Sequence, residues 1–205
     1  ALFWQANHLT STEQGEKIFE YFYSSDKNIQ SKNPDAYIIS TNKSKIKSIS
    51  SMIYKSGLIL KSIDIEEFSI RNILKTKNEK EESISVVCID EKKIRVFIIK
   101  NNDILFYRKI EIKIINLDDV KDLILLEMQR SFDYYERQTF GEEIKKVFFY
   151  SKIESVHENF FSDSLLDIPI EHLLNSSRVF DHKKENHRNL IKKNIISLGA
   201  LLKGI

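Results

Sequence analysis

Cysteine, proline and glycine are scarce in this 205-residue chain, which contains one, two and five of them. The single cysteine, Cys88, excludes an internal disulfide and fits a reducing compartment. It lies inside the apolar run Ile84 to Ile89, so it reads as a buried structural thiol. Apolar runs are short: none approaches the ~18 residues needed to span a bilayer, and no signal peptide opens the chain. The expectation is a soluble, cytoplasmic protein. Surplus charge is missing too, since 32 Lys and Arg face 30 Asp and Glu for a net charge of +2. No strong field toward nucleic acid or anionic lipid is built in, and no nucleic-acid partner is expected. There is no P-loop and no serine in a nucleophile-elbow glycine context. His182 and His187, five apart in DHKKENH, have no cysteine partner and do not make a zinc motif. The pairs Lys183-Lys184 and Lys192-Lys193 have acidic neighbours and read as a solvated helix face.

What the chain does have is 41% hydrophobic and 11% aromatic residues, enough for a sizeable core. Its clearest element runs from Asn116 to Gln138. Val120, Ile124, Met128, Phe132 and Tyr135 recur at spacings of four and three, which places them on one buried face of an α-helix. Asn116 is the expected cap, Asp118 and Asp119 suit the positive end of the helix dipole, and Gly141 follows as a stop. A second strip, Glu127, Arg130, Ser131 and Tyr134, runs beside the apolar face. It reads either as a solvated flank with a Glu127–Arg130 pair or as the border of a cleft.

Around that helix the chain divides. Residues 1–34 carry a loose helical pattern at Ile18, Phe19, Phe22 and Tyr23, followed by a polar linker from Ser24 to Pro34. A strand is expected at Ala36 to Ser40, a helix at Lys45 to Ser56 stopped by Gly57, a strand at Leu58 to Ile65 and a helix at Glu66 to Leu74. That β-α-β-α order calls for two parallel strands. KTKNEKEE at 75–82 has no apolar residue and is the clearest linker. Beyond it, strands at Ile84 to Asp90, Ile94 to Lys100 and Ile104 to Ile110 read as an antiparallel meander, which Glu111 to Ile115 would extend. After the long helix come a strand at Lys146 to Tyr150, a helix at Glu154 to Leu165, a short strand at Ile168 to His172 and a helix from about Asn189 to Leu202. Three hairpin-linked strands followed by alternating helices and strands is the order of a ribonuclease H-like unit.

Several of these segments resemble one family. SGLILKSIDIEEFSIRNIL at 56–74, DILFYRKIEI at 103–112, LEMQRSFDYYERQ at 126–138 and ISLGALL at 196–202 are similar to motifs of the bacterial pilus assembly protein PilM and of MshI, the biogenesis protein of the mannose-sensitive haemagglutinin (MSHA) pilus. The resemblance implies an α/β, actin-like fold of two ribonuclease H-like halves, incomplete here at the N-terminus. Residues 1–34 would be the lead-in of a shortened first half, 35–74 an inserted β-α-β-α subdomain, 75–82 a linker and 83–205 the second half. The chain opens on Ala1, and the strand hairpin that supplies one phosphate loop in this fold would lie upstream.

The resemblance also frames the chemistry. Actin-like folds hold nucleotide phosphates with turns in which a carboxylate positions metal and glycines let backbone amides approach. Here the first such turn is Cys88-Ile89-Asp90-Glu91-Lys92-Lys93, with Asp90 retained but Lys92 at the glycine position; the second reads Ser151-Lys152. Without glycine in either, close approach of backbone to a triphosphate is hard to build. Asp90, Glu127 and Arg130 are the remaining nucleotide candidates, with ATP and magnesium as the implied ligands. The resemblance favours a non-catalytic scaffold of a type IV pilus, or of a type II secretion-like inner-membrane platform. Its partner would be the cytoplasmic tail of a bitopic PilN- or MshJ-like protein, bound near 35–74, with an assembly ATPase nearby and self-association open. The alternatives are an actin-like ATPase whose first phosphate loop is missing from this chain, and a ribonuclease H-like nuclease, for which only Asp90 is suitably placed.

Overall fold

The computed structural model describes residues 15–23, 36–75, 82–112, 117–153, 155–156, 158–161, 167–176 and 185–203. The chain forms two compact units, Ala1–Asp64 and Ile65–Ile205.

In the first unit β1 (Lys17–Tyr23) and β2 (Ala36–Asn42) form an antiparallel pair, in register from Lys17 opposite Asn42 to Tyr23 opposite Ala36. The helical pattern expected around Ile18, Phe19, Phe22 and Tyr23 is therefore a strand. Aromatic residues fit a pleated surface better than a helix when a cross-strand partner exists. Here Phe22 lies opposite Tyr37 and stacks on it, with ring centroids 5.0 Å apart. The linker expected at Ser24 to Pro34 lies outside the described residues.

Helix α1 (Lys43–Lys55) follows directly, within two residues of the expected start. It ends as the sequence indicates. Gly57 adopts φ +76°, its amide donates to Tyr54 O at 3.0 Å, and the Leu58 amide donates to Ile53 O at 3.3 Å, a Schellman closure. The strand expected at Leu58 to Ile65 does not form. Its alternation is right, but a strand needs a ladder, and among the described residues β2 pairs with β1 alone. The parallel β-α-β arrangement is thus replaced by an antiparallel hairpin and a helix.

The second unit is three-layered. Helix α2 (Glu66–Lys75), which the sequence groups with the elements before it, packs on the sheet of this unit through Ile70, Ile73 and Leu74. Strands β3 (Ile84–Asp90), β4 (Lys93–Lys100) and β5 (Asp103–Glu111) make the expected antiparallel meander. The β4–β5 turn places Asn101 and Asn102 at φ +52° and +66°, a left-handed pair that asparagine tolerates better than most residues. Helix α3 (Leu117–Gln138) leads to β6 (Lys146–Ser151), parallel to β3. β7 (Ile170–His172) then runs parallel to β6, and α4 (Glu185–Leu201), bent at Asn194, closes the unit. The spatial order β5-β4-β3-β6-β7 is that of a ribonuclease H-like sheet, with its first three strands antiparallel and the later two parallel.

All five residues of the predicted α3 face are buried, packing against Val87, Ile89, Ile94, Val96 and Ile98 on one side of the sheet. On the other side Val86, Cys88, Phe97, Phe148 and Tyr150 meet α2 and Ile195 of α4. Such two-sided burial explains why β3 and β4 read as nearly continuous apolar runs. The helix expected at Glu154 to Leu165 appears, in its described part, only as a 3-10 turn at Glu158–Phe161; there Phe161 packs on Phe149 at 5.0 Å between centroids. The Asn116 cap, the side chains of Asp118 and Asp119, and residues 76–81 of the linker lie outside the described residues.

Candidate functional site

Two strand ends define the first place to look. Because β3 and β6 are parallel, Asp90 and the Ser151-Lys152 turn come to the same edge of the sheet, and the Lys152 amide donates to Ile89 O at 3.0 Å. Lys152 Nζ lies 3.5 Å from Asp90 Oδ2 and 3.6 Å from Glu66 Oε1. The opposite oxygen of Glu66 pairs with Arg95 Nη1, which also reaches Glu67 Oε1 at 3.2 Å. Asp90 thus pairs across the sheet edge with Lys152, just past the end of the neighbouring strand β6.

Arg95 is not among the site candidates that the sequence offers. Its signal is local: it is the one charged residue inside Ile94 to Ile99, and strand alternation sends it inward with Phe97. Glu66 and Glu67 were legible as a helix start but not as partners of an arginine 28 or more positions away. Burial would raise the Glu66 carboxyl, but Arg95 and Lys152 outweigh it and hold it below the ordinary range. The neighbouring Cys88 is fully buried, and desolvation pushes its thiol up to about 12, so it is not a thiolate at neutral pH.

Glu127 and Arg130 stand on the opposite face of the sheet from Asp90. Glu127 projects from α3 and is buried, with Arg130 Nη1 at 2.8 Å from Oε1 and Arg108 Nη2 of β5 at 2.8 Å from Oε2. The expected Glu127–Arg130 pair is present, but the flank is not fully solvated. Ser131 is buried and donates to the Glu127 carbonyl at 2.6 Å, while Tyr134 is half-exposed against Phe106. The structure therefore does not bring Asp90, Glu127 and Arg130 together.

A nucleotide fits these residues poorly. The cations at the sheet edge are engaged by the chain's own carboxylates, and neither turn has a glycine through which backbone amides could meet a phosphate. Among the described residues no cluster of three or more His, Cys, Asp and Glu side chains is placed to hold a metal ion. His182, Lys183 and Lys184, with the side chains of His187, Lys192 and Lys193, lie outside them.

The first unit offers a different kind of site. Ser50, Tyr54, Lys55, Gly57, Leu58, Ile59 and Leu60 line an open groove of about 790 Å³. Tyr54 is 83% and Ile59 80% exposed, and Met52, Leu58 and Ile63 are exposed as well. Together they leave an apolar patch on the surface of the first unit. It arises because the segment that reads as a strand has no sheet to enter among the described residues.

The partly buried carboxylates Glu66 and Glu142 make acid sensitivity predictable. In Glu142, as in Glu66, burial would raise the carboxyl, but hydrogen bonds from Lys100 and Ser83 outweigh it and lower it. A folded value below the unfolded ~4.3 means stability that is complete above that value and lost as pH falls through the folded one. Urea midpoints are expected to hold steady from neutral pH and to drop below about pH 4. Glu142→Gln should flatten the acid limb.

No family model matches this chain, and no curated protein matches it in sequence. Solved structures do match in shape. A chain of a PilM-PilN type IV pilus biogenesis complex superimposes with a TM-score of 0.69 at 10% identity, covering 99% of this chain and 70% of that one. A Bacteroides thetaiotaomicron protein with an actin-like ATPase fold and unknown function gives 0.49 at 12% identity, covering 100% of this chain and 64% of that one. The chain has the actin-like α/β fold.

Proposed function

We propose that this chain is a non-catalytic cytoplasmic scaffold of an MSHA-type or other type IV pilus, or of a type II secretion-like platform. It would be held at the inner membrane by a bitopic PilN- or MshJ-like partner. In this reading residues 83–205 are the second ribonuclease H-like half, and the 35–74 region presents the docking surface. The observation that carries the reading is the exposed apolar groove at Tyr54 and Leu58 to Leu60, in a chain whose fold matches that of a PilM-PilN complex. A short peptide with apolar anchors would bury Ile59 and Tyr54, which are now exposed. Weak fit of the sheet edge to a phosphate supports the non-catalytic part. Among the described residues no helix is long and apolar enough to cross a membrane.

The test is fluorescence anisotropy with a labelled N-terminal cytoplasmic segment of a PilN-like protein from the same genome. Saturable binding is expected, weakened at least about tenfold by Ile59→Asp, as befits an anchor residue in an apolar pocket. Binding unaffected by Ile59→Asp and Tyr54→Asp would place the partner elsewhere, and no binding at all would remove the scaffold reading.

A further inference from the structure

We infer that the sheet edge where an actin-like fold takes its phosphate is occupied from within. Glu66 bridges Lys152 and Arg95, Asp90 and Glu67 complete the set, and α2 is thereby clamped to the sheet with no nucleotide. The inference rests on the fold and on these side chains, not on the pilus reading.

The geometry is specific. Glu66 directs Oε1 toward Lys152 and Oε2 toward Arg95, so one carboxylate spans two cations from different strand ends. Lys152 is shared with Asp90 at 3.5 Å, and Arg95 with Glu67 at 3.2 Å. Arg95 is 4% exposed, so it needs a permanent counter-charge rather than a visiting one. Glu66 and Glu67 are well placed to provide it. They form the first turn of α2, where the helix dipole favours negative charge, and the α2 side chains behind them are locked into the core by Ile70, Ile73 and Leu74. A diffusible phosphate would have to displace tethered carboxylates whose effective concentration is set by the fold. The missing glycines are then not a defect, since no backbone amide has a ligand to approach.

The clamp predicts what holds the start of α2. The Ser69 amide bonds to Ile65 O, so its hydrogen exchange reports opening of that first turn. Measured on the 205-residue chain, Glu66→Gln, which loses both Arg95 and Lys152, is expected to speed this exchange about tenfold, and Lys152→Met, whose contacts at 3.6 and 3.5 Å are partly exposed, about two- to threefold. The double variant should be little faster than Glu66→Gln alone, because that substitution already breaks the bridge to Lys152. Lys152 is partly exposed, which makes its substitution tolerable even if Arg95 variants do not fold. Magnesium ATP, titrated calorimetrically and added during exchange, should give neither heat nor protection. Additive effects of the two substitutions would reduce Glu66 to a helix-end charge and overturn the clamp. So would binding heat with magnesium ATP that Asp90→Ala abolishes, or exchange unchanged in both variants. A failed peptide experiment leaves all of these readouts intact.

Discussion

Gly199→Val is expected to detach α4 from α2 and to destabilise the second unit by more than about 3 kcal/mol, the upper range for forcing volume into a packed core. A Cβ built on Gly199 would lie 2.0 Å from Ser69 O and 2.6 Å from Ser69 C, both backbone atoms of α2. Neither can rotate away as the end of a side chain would, so one helix must move. That movement would also break the bond from Asn72 Nδ2 to Gly199 O, 3.2 Å long and buried, and lift Ile195 from the core beside Ile70. Even Gly199→Ala should be costly, although alanine is the better helix former. Urea unfolding of Gly199→Ala against Ala200→Gly separates the two effects: packing predicts loss in the first, and the second should cost only the ~1 kcal/mol of helix propensity. A Gly199→Ala variant as stable as the parent would mean that α2 and α4 are not packed this closely.

Removing both partners of Glu127 is expected to cost more than removing Glu127 itself. Its carboxylate is 5% exposed, whereas Arg108 and Arg130 are 39% and 56% exposed. In Glu127→Ala the two guanidinium groups turn to water and the desolvation of the acid is relieved, leaving a net loss of about 1 kcal/mol. In Arg108→Ala with Arg130→Ala the carboxylate stays under α3 with no counter-charge, a loss of about 3–5 kcal/mol. Each single arginine variant should fall well short of half that, since the remaining arginine still neutralises the acid. Denaturant midpoints of the four variants check the order. A Glu127→Ala loss larger than that of the double arginine variant would show that the acid is bound by something other than these two side chains.

The parts of the molecule legible in sequence are those whose signal is local. The α3 face, the Gly57 stop, the three-strand meander and burial of Cys88 all follow from spacing, a left-handed glycine or an apolar run, and the structure shows each of them. Gly199 stood inside a motif, ISLGALL, whose reason was invisible until α2 lay against it. Two local readings failed where the deciding partner was distant. The pattern at Ile18 to Tyr23 became a strand because Tyr37 could stack on Phe22, and Leu58 to Ile65 stayed out of any sheet for want of a neighbour.

For the candidate sites the same division holds. Asp90, Glu127 and Arg130 could be picked from the chain as charged residues at meaningful positions, yet only the fold sends Asp90 to one face of the sheet and the other two to the opposite face. By itself the sequence determined which segments must be buried and where the chain turns, because hydrophobic period and backbone stereochemistry act over a few residues. The tertiary structure decided which charges meet. Ion pairs such as Arg95 with Glu66 join residues far apart in the chain, and their geometry exists only after the sheet and helices have closed around them.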